Sequence, residues 1–140
     1  MSGTKDMWKH VLCWILHMSW CGIQNLAGAV CCFCLRSCRH TVYRMSVVTE
    51  WKRRDGLSLG AFLFVPEGTP AKDPALLRHE YGHTIQSFFL GPFYLPFVAL
   101  PSVIWAKLPL LRRMRRECGI SYYAVYPENW ASRLGDHFSK

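Results

Sequence analysis

The chain has 140 residues, of which 51% are hydrophobic, 14% aromatic and only 19% charged. That leaves room for one domain, or for one small domain with a membrane segment, and it is too apolar for a disordered chain. Seventeen Lys and Arg against nine Asp and Glu give a net charge of +8, which suits an anionic partner such as phospholipid head groups or a nucleic-acid backbone.

Two stretches, His10 to Leu35 and Tyr81 to Ala106, contain no Asp, Glu, Lys or Arg. Each exceeds the roughly 20 residues that cross a bilayer. The first, between Lys9 and Arg36, is expected to be an N-terminal transmembrane helix, so residues 1–40 form a membrane segment and 41–140 a separate domain. A rival reading is a secretory signal that begins at Lys5 and Lys9 and is cleaved at Ala27-Gly28-Ala29; the apolar run continuing to Leu35 argues against it. Five of the seven cysteines (Cys13, Cys21, Cys31, Cys32, Cys34) lie in this stretch, an odd and clustered set unlike a disulfide framework. Cys31, Cys34 and Cys38, with His40 close by, have metal-like spacing. The same spacing marks one face of a helix, and apolar packing is the preferred reading.

Ser46 to Val65 is expected to be a β-hairpin. Val47 to Trp51 favours strand, Arg54-Asp55-Gly56 carries an Asp-Gly turn signal, and Leu57 to Val65 alternates before turning apolar. Pro66 to Pro70 reads as a loop. Asp73-Pro74 then marks a helix start, with Asp as cap and Pro as first residue, for a helix from Pro74 to Leu90 that stops at Gly91-Pro92.

The second apolar stretch is interrupted by Pro92, Pro96 and Pro101, with Pro109 just beyond, and a proline inside a helix costs roughly 3 kcal/mol. A straight span is therefore disfavoured. Basic clusters follow both apolar stretches, and positive-inside bias places both on the cytoplasmic side. Segment 88–106 is accordingly expected to be re-entrant or interfacial, the alternative being the core of a soluble domain. Arg112-Arg113-Met114-Arg115-Arg116 comes without a DNA- or RNA-binding motif and reads as a contact with anionic lipid head groups; no nucleic-acid partner is expected. A last helix is expected from Pro127 to Leu134, ending at Gly135.

The helix opened by Asp73-Pro74 carries His79-Glu80-Tyr81-Gly82-His83, an HExxH pattern. Residues four apart share a helix face, so both imidazoles can reach one metal ion while Glu80 projects beside them as general base. This is the arrangement metal-assisted hydrolysis needs, and Gly82 permits close approach of another backbone. A zinc site needs a third protein ligand. Glu128, on the last helix, is the candidate, with Asp136 and His137 as rivals. Gln86, three residues after His83, could hold a ligand or bind substrate. Tyr122, Tyr123 and Tyr126 are the nearby phenols; Tyr123 and Tyr126 are candidate oxyanion stabilisers, with interfacial anchoring as the alternative.

HExGH followed by Glu128-Asn129-Trp130-Ala131-Ser132 resembles the gluzincin branch of zinc metallopeptidases, in which the third ligand is the Glu of an ExxAD-type segment. The apolar surroundings are closer to membrane gluzincins of the CAAX-prenyl-protease type. The wider string from Arg78 to Ser87, with Leu90 to Leu95, Leu100 to Ser102, Tyr122-Tyr123 and Tyr126 to Ala131, also resembles a group of small bacterial membrane proteins with an HEYGH motif and no assigned activity. The resemblance implies an α+β, mostly helical fold: a minimal zincin-like core of β-hairpin, active-site helix and ligand helix. It implies one Zn2+ ion and a peptide or protein substrate. Ser132 departs from the pattern, replacing the acid that orients a ligating His; Asp136, one turn later, could substitute. The expected function is a membrane-associated zinc metallopeptidase whose site lies near the cytoplasmic surface. The alternatives are a catalytically degenerate metal-binding membrane protein and a basic membrane-surface interaction protein. So small a fold could also gain stability as a homo-oligomer.

Overall fold

Helix formation at Pro74–Leu90 follows its sequence signals closely. The Asp73 carboxylate accepts the Leu76 N–H at 3.0 Å, Pro74 occupies the first turn, and Gly91 ends the helix at a positive φ of 54°. In the computed structural model, which describes residues 7, 8, 11, 12, 15 and 19–140, the regular elements from residue 22 onward run as follows. Helix α1 is Gly22–Cys34; strands β1 to β4 are Arg39–Tyr43, Ser46–Trp51, Leu57–Leu59 and Phe62–Pro66. Then come the short α2 (Thr69–Lys72), α3 (Pro74–Leu90), a 3-10 turn (Gly91–Phe93), a π turn (Leu95–Ala99), α4 (Leu100–Lys107), α5 (Pro109–Cys118), a second 3-10 turn (Tyr122–Ala124) and α6 (Glu128–Phe138). The fold is α+β and mostly helical, with one small four-stranded sheet.

The sheet corrects the single hairpin expected over Ser46 to Val65. Strand order is β1-β2-β4-β3, with β1–β2 and β3–β4 antiparallel but β2–β4 parallel. The tight turns are at Arg44, with φ 55°, and at Gly60, with φ 62°. Arg54-Asp55-Gly56 is instead the start of a crossover. The Asp55 carboxylate is held by Arg53 and by Lys107 at 2.7 Å, and its carbonyl accepts the Trp51 indole N–H, so the local Asp-Gly turn preference is overridden. The proposed boundary at residue 40 falls inside β1.

Val48, Leu63, Val65, Leu77 and Tyr81 form the core between sheet and α3, with Tyr43 and Ile85 against it. Tyr43 and Tyr81 meet edge to face at 5.5 Å, a favoured aromatic geometry. Helix α1 is pinned to this unit by the polar residues that interrupt its apolar run. Asn25 Oδ1 accepts the Ala61 N–H at 2.8 Å, and the Gln24 amide donates to the Gly91 carbonyl at 2.7 Å. Its outer face stays apolar and exposed, with Ile23, Leu26, Val30 and Phe33 all turned outward.

Among the described residues no single helix is long and apolar enough to cross a membrane. Helix α1 has 13 residues, about 20 Å of rise against a hydrocarbon core of about 30 Å. Residues 10, 13, 14 and 16–18 of the expected transmembrane helix lie outside the described residues, and Cys21 precedes α1 as its N-cap. The second apolar stretch is broken, as its prolines require. Pro92, Pro96 and Pro109 each sit in the first turn of a helical piece, where the missing N–H costs least, while Pro101 lies where the run Leu95–Lys107 passes from π to α bonding. Leu95–Lys107 and Pro109–Cys118 meet at 70°.

The last helix runs past the expected stop, to Phe138. Gly135 is buried in the helix against α3, where a Cβ would stand 2.0 Å from the Arg78 carbonyl oxygen. A contact requirement, and not a cap, explains this glycine.

Candidate metal centre

Helices α3 and α6 cross almost backbone to backbone. A Cβ on Gly82 would lie 1.8 Å from the Ala131 carbonyl oxygen, so only glycine fits there. This closeness brings the first turn of α6 under the middle of α3. His79, His83 and Glu128 are all buried, and one ligand atom from each lies within 4.8 Å of the others. His79 Nε2 is 2.9 Å and His83 Nε2 3.4 Å from Glu128 Oε2. Ligand atoms on a tetrahedral zinc lie about 3.3 Å apart. Two imidazoles and a carboxylate at this spacing fit one metal ion.

The outer nitrogens of both imidazoles are occupied. His79 Nδ1 is 2.9 Å from the Ser132 hydroxyl. His83 Nδ1 is 2.7 Å from Gln86 Oε1, and the Gln86 amide nitrogen donates to the Pro127 carbonyl at 3.1 Å. That second bond fixes the amide orientation. Gln86 can therefore only accept from His83, which puts a proton on Nδ1 and aims Nε2 at Glu128. Ser132, by contrast, can donate or accept, so it orients His79 without selecting a tautomer.

Burial alone would raise the Glu128 carboxyl, but its bonds to His79 and His83 outweigh this and hold it well below the usual carboxylate range. Burial alone would lower His83, yet its bond to Glu128 and the nearby Glu80 charge raise it. Ser102, from α4, donates a short hydrogen bond to Glu128 Oε1.

Glu80 is buried beside this group. The Ser58 hydroxyl, on edge strand β3, is 2.6 Å from Glu80 Oε2 and 2.9 Å from the Glu80 carbonyl oxygen. Gly56 lies so close that a Cβ there would stand 2.0 Å from Glu80 Oε1. Tyr123 packs edge-on against His79, ring centroids 4.8 Å apart. Burial, and next the Glu128 charge, push the Tyr122 phenol up, so it is a hydrogen-bond donor at neutral pH.

Three sequence candidates lie elsewhere. Asp136 is exposed and faces Arg78 at 3.3 Å, His137 is exposed and packs on Phe138, and Tyr126 donates to the Phe97 carbonyl while stacking on Trp130. Asp136 therefore does not replace the missing acid at Ser132. Ser58 and Ser102 were not legible as site residues. Each is a lone serine far from the motif in sequence, and only the fold brings it near.

No protein-family model, no curated protein and no solved structure matches the chain.

Proposed function

We propose that the chain is a membrane-associated, zinc-dependent metallopeptidase in which His79, His83 and Glu128 hold one Zn2+ ion and Glu80 is the general base. The observation that carries this reading is the buried His79–His83–Glu128 group with Glu80 on the same helix. A bound zinc supplies Lewis acidity, polarising a carbonyl and acidifying water.

The protein's own groups do the rest. Ser58 holds Glu80 Oε2, leaving Oε1 to take a proton from attacking water and return it to the leaving amine. Gln86 presents His83 Nε2, and Ser132 presents the opposite edge of His79. Tyr123, whose ring packs on His79, is the phenol we assign to stabilising negative charge on a carbonyl oxygen. The exposed apolar surface and the basic α5 support membrane association, with the site on the cytoplasmic face.

A second reading, a metal site without turnover, is favoured by one observation: Ser132 stands where the resembled pattern has an acid. Elemental analysis of wild type and His83→Ala tests the metal site, about one zinc per chain falling to none. Glu80→Gln then separates the readings. A peptidase keeps its zinc and loses hydrolysis of a quenched-fluorescent peptide library; a purely structural site shows no hydrolysis in either protein.

A further inference from the structure

The limb formed by Leu95–Lys107 is tied to the protein by polar contacts at Phe97, Ser102, Trp105 and Lys107 but buries little apolar surface. Only Val98 and Trp105 are buried along it, and α5 buries nothing. Its outer face, with the turn before it and the start of α5, presents Phe93, Phe97, Leu100, Val103, Ile104 and Leu110, between 43% and 71% exposed. A soluble surface rarely keeps so continuous an apolar face. Beyond the 70° elbow, α5 carries exposed Arg112, Arg113 and Arg116. Arg112, Arg115, Arg116 and Ile120 line an open recess, which suits a phosphate head group by charge. Apolar side chains on one arm and arginines on the other match the two layers of an anionic leaflet.

The inner edge of the same limb touches the metal group. Ser102 donates to Glu128 Oε1. Three residues on, the Trp105 indole donates to the Tyr122 carbonyl at 3.0 Å. Arg115 closes the elbow, its guanidinium 4.8 Å from the Trp105 ring centroid and 5.3 Å from that of Tyr122. A segment with few buried apolar side chains gains most from an added contact on its outer face, and whatever seats it also seats Ser102.

We propose that the elbow docks on an anionic phospholipid bilayer and that docking tightens the His79–His83–Glu128 group, because Ser102 rides on the limb that the lipid holds. The bilayer is thereby a regulator of the site as well as its support, and chains anchored in that leaflet are the peptides brought within reach. This rests on the zinc reading above. Linkage makes the coupling reciprocal: zinc tightens vesicle binding by the factor by which vesicles tighten zinc.

The test uses the full chain with vesicles of phosphatidylcholine alone or mixed with phosphatidylglycerol, flotation for docking, and competition with a chromophoric chelator for zinc affinity. Wild type is expected to float with anionic vesicles only, less so as salt rises, and to bind zinc about fivefold or more tightly when docked. Arg112→Glu/Arg116→Glu should lose flotation and keep the zinc affinity of the undocked chain. Ser102→Ala should float like wild type and show no tightening. Equal flotation on neutral vesicles, zinc affinity indifferent to anionic vesicles, or tightening retained in Ser102→Ala would each overturn the inference while leaving the metal site standing. Absence of zinc binding with and without vesicles would remove both.

Discussion

Replacing Gly82 by alanine tests whether the crossing of α3 and α6 sets the metal geometry. The new Cβ would stand 1.8 Å from the Ala131 carbonyl oxygen and 2.6 Å from its carbon, against a floor of 3.0 Å for real Cβ contacts. The two helices must therefore separate by about 1.2 Å at this point. Both crowded partners are helix backbone, so no side chain can rotate out of the way. Overpacking of this kind costs about 1–3 kcal/mol. For a chain of this length each kcal/mol lowers Tm by about 3–5 °C, so a fall of roughly 3–15 °C is expected. Glu128, one turn before Ala131, moves with α6 away from His79 and His83. A displacement near 1 Å at a reacting centre costs about 100-fold, and zinc affinity should fall by at least about tenfold. Circular dichroism melts of the zinc-free protein and chelator competition measure the two effects. Gly22→Ala is the control: no described residue lies within 4 Å of a Cβ there, and in a helix the change is neutral or stabilising by up to about 1 kcal/mol. An unchanged Tm together with unchanged zinc affinity in Gly82→Ala would refute the claim that this close contact builds the site.

Ser132→Asp should tighten zinc by about tenfold and Ser132→Ala weaken it, because a carboxylate at this distance from His79 Nδ1 fixes the ring better than a hydroxyl; competition titrations decide. Gln86→Leu removes the amide that selects the His83 tautomer, and a loss of about 10 to 100-fold in zinc affinity is expected from the same titration. Removing zinc should lower Tm, since at a free concentration 100 times Kd the ion contributes about 2.7 kcal/mol, checked by melts with and without chelator. The pH prediction concerns Asp55. Arg53 above all, then Lys107, hold its carboxyl well below its ordinary value. Its folded pKa is depressed, so its contribution is present above about pH 4 and fades as pH falls below that. Asp55→Asn should therefore lower Tm by a few degrees at pH 7, consistent with about 1 kcal/mol or less for an exposed pair, and the difference from wild type should shrink in acid.

The parts of the site that could be read from the sequence are those fixed by local geometry. Four-residue spacing puts His79 and His83 on one face, and the Asp73-Pro74 start with the Gly91 stop bounds their helix within the chain itself. Glu128 is one of three downstream candidates with Asp136 and His137, and the sequence leaves them open; the packing of α6 on α3 brings Glu128 to the histidines. The sheet order was not reachable. Pairing β2 in parallel with β4 depends on contacts between distant segments, and the Asp55 bonds to Arg53 and Lys107 that defeat the Asp-Gly turn come partly from a helix fifty residues away. Gly135 illustrates the same limit from the other side: its sequence position suggests a stop, while its Cα faces the Arg78 carbonyl. Ser58 carries no pattern, and Ser102, though part of the wider string Leu100 to Ser102, carries no role there, since a single hydroxyl acquires meaning only from what it is folded against.

The four prolines between residues 92 and 109 do more than stop a straight helix. The backbone leaves the helical region at Gly91 and at Leu108, whereas Leu95–Lys107 runs on through Pro96 and Pro101 as one piece whose bonding passes from π to α. Rotation is easiest at those two non-helical residues, where few backbone bonds are at stake, and not within the helical run between them. Between those two joints the piece moves as a unit, and the hydroxyl that touches Glu128 moves with it.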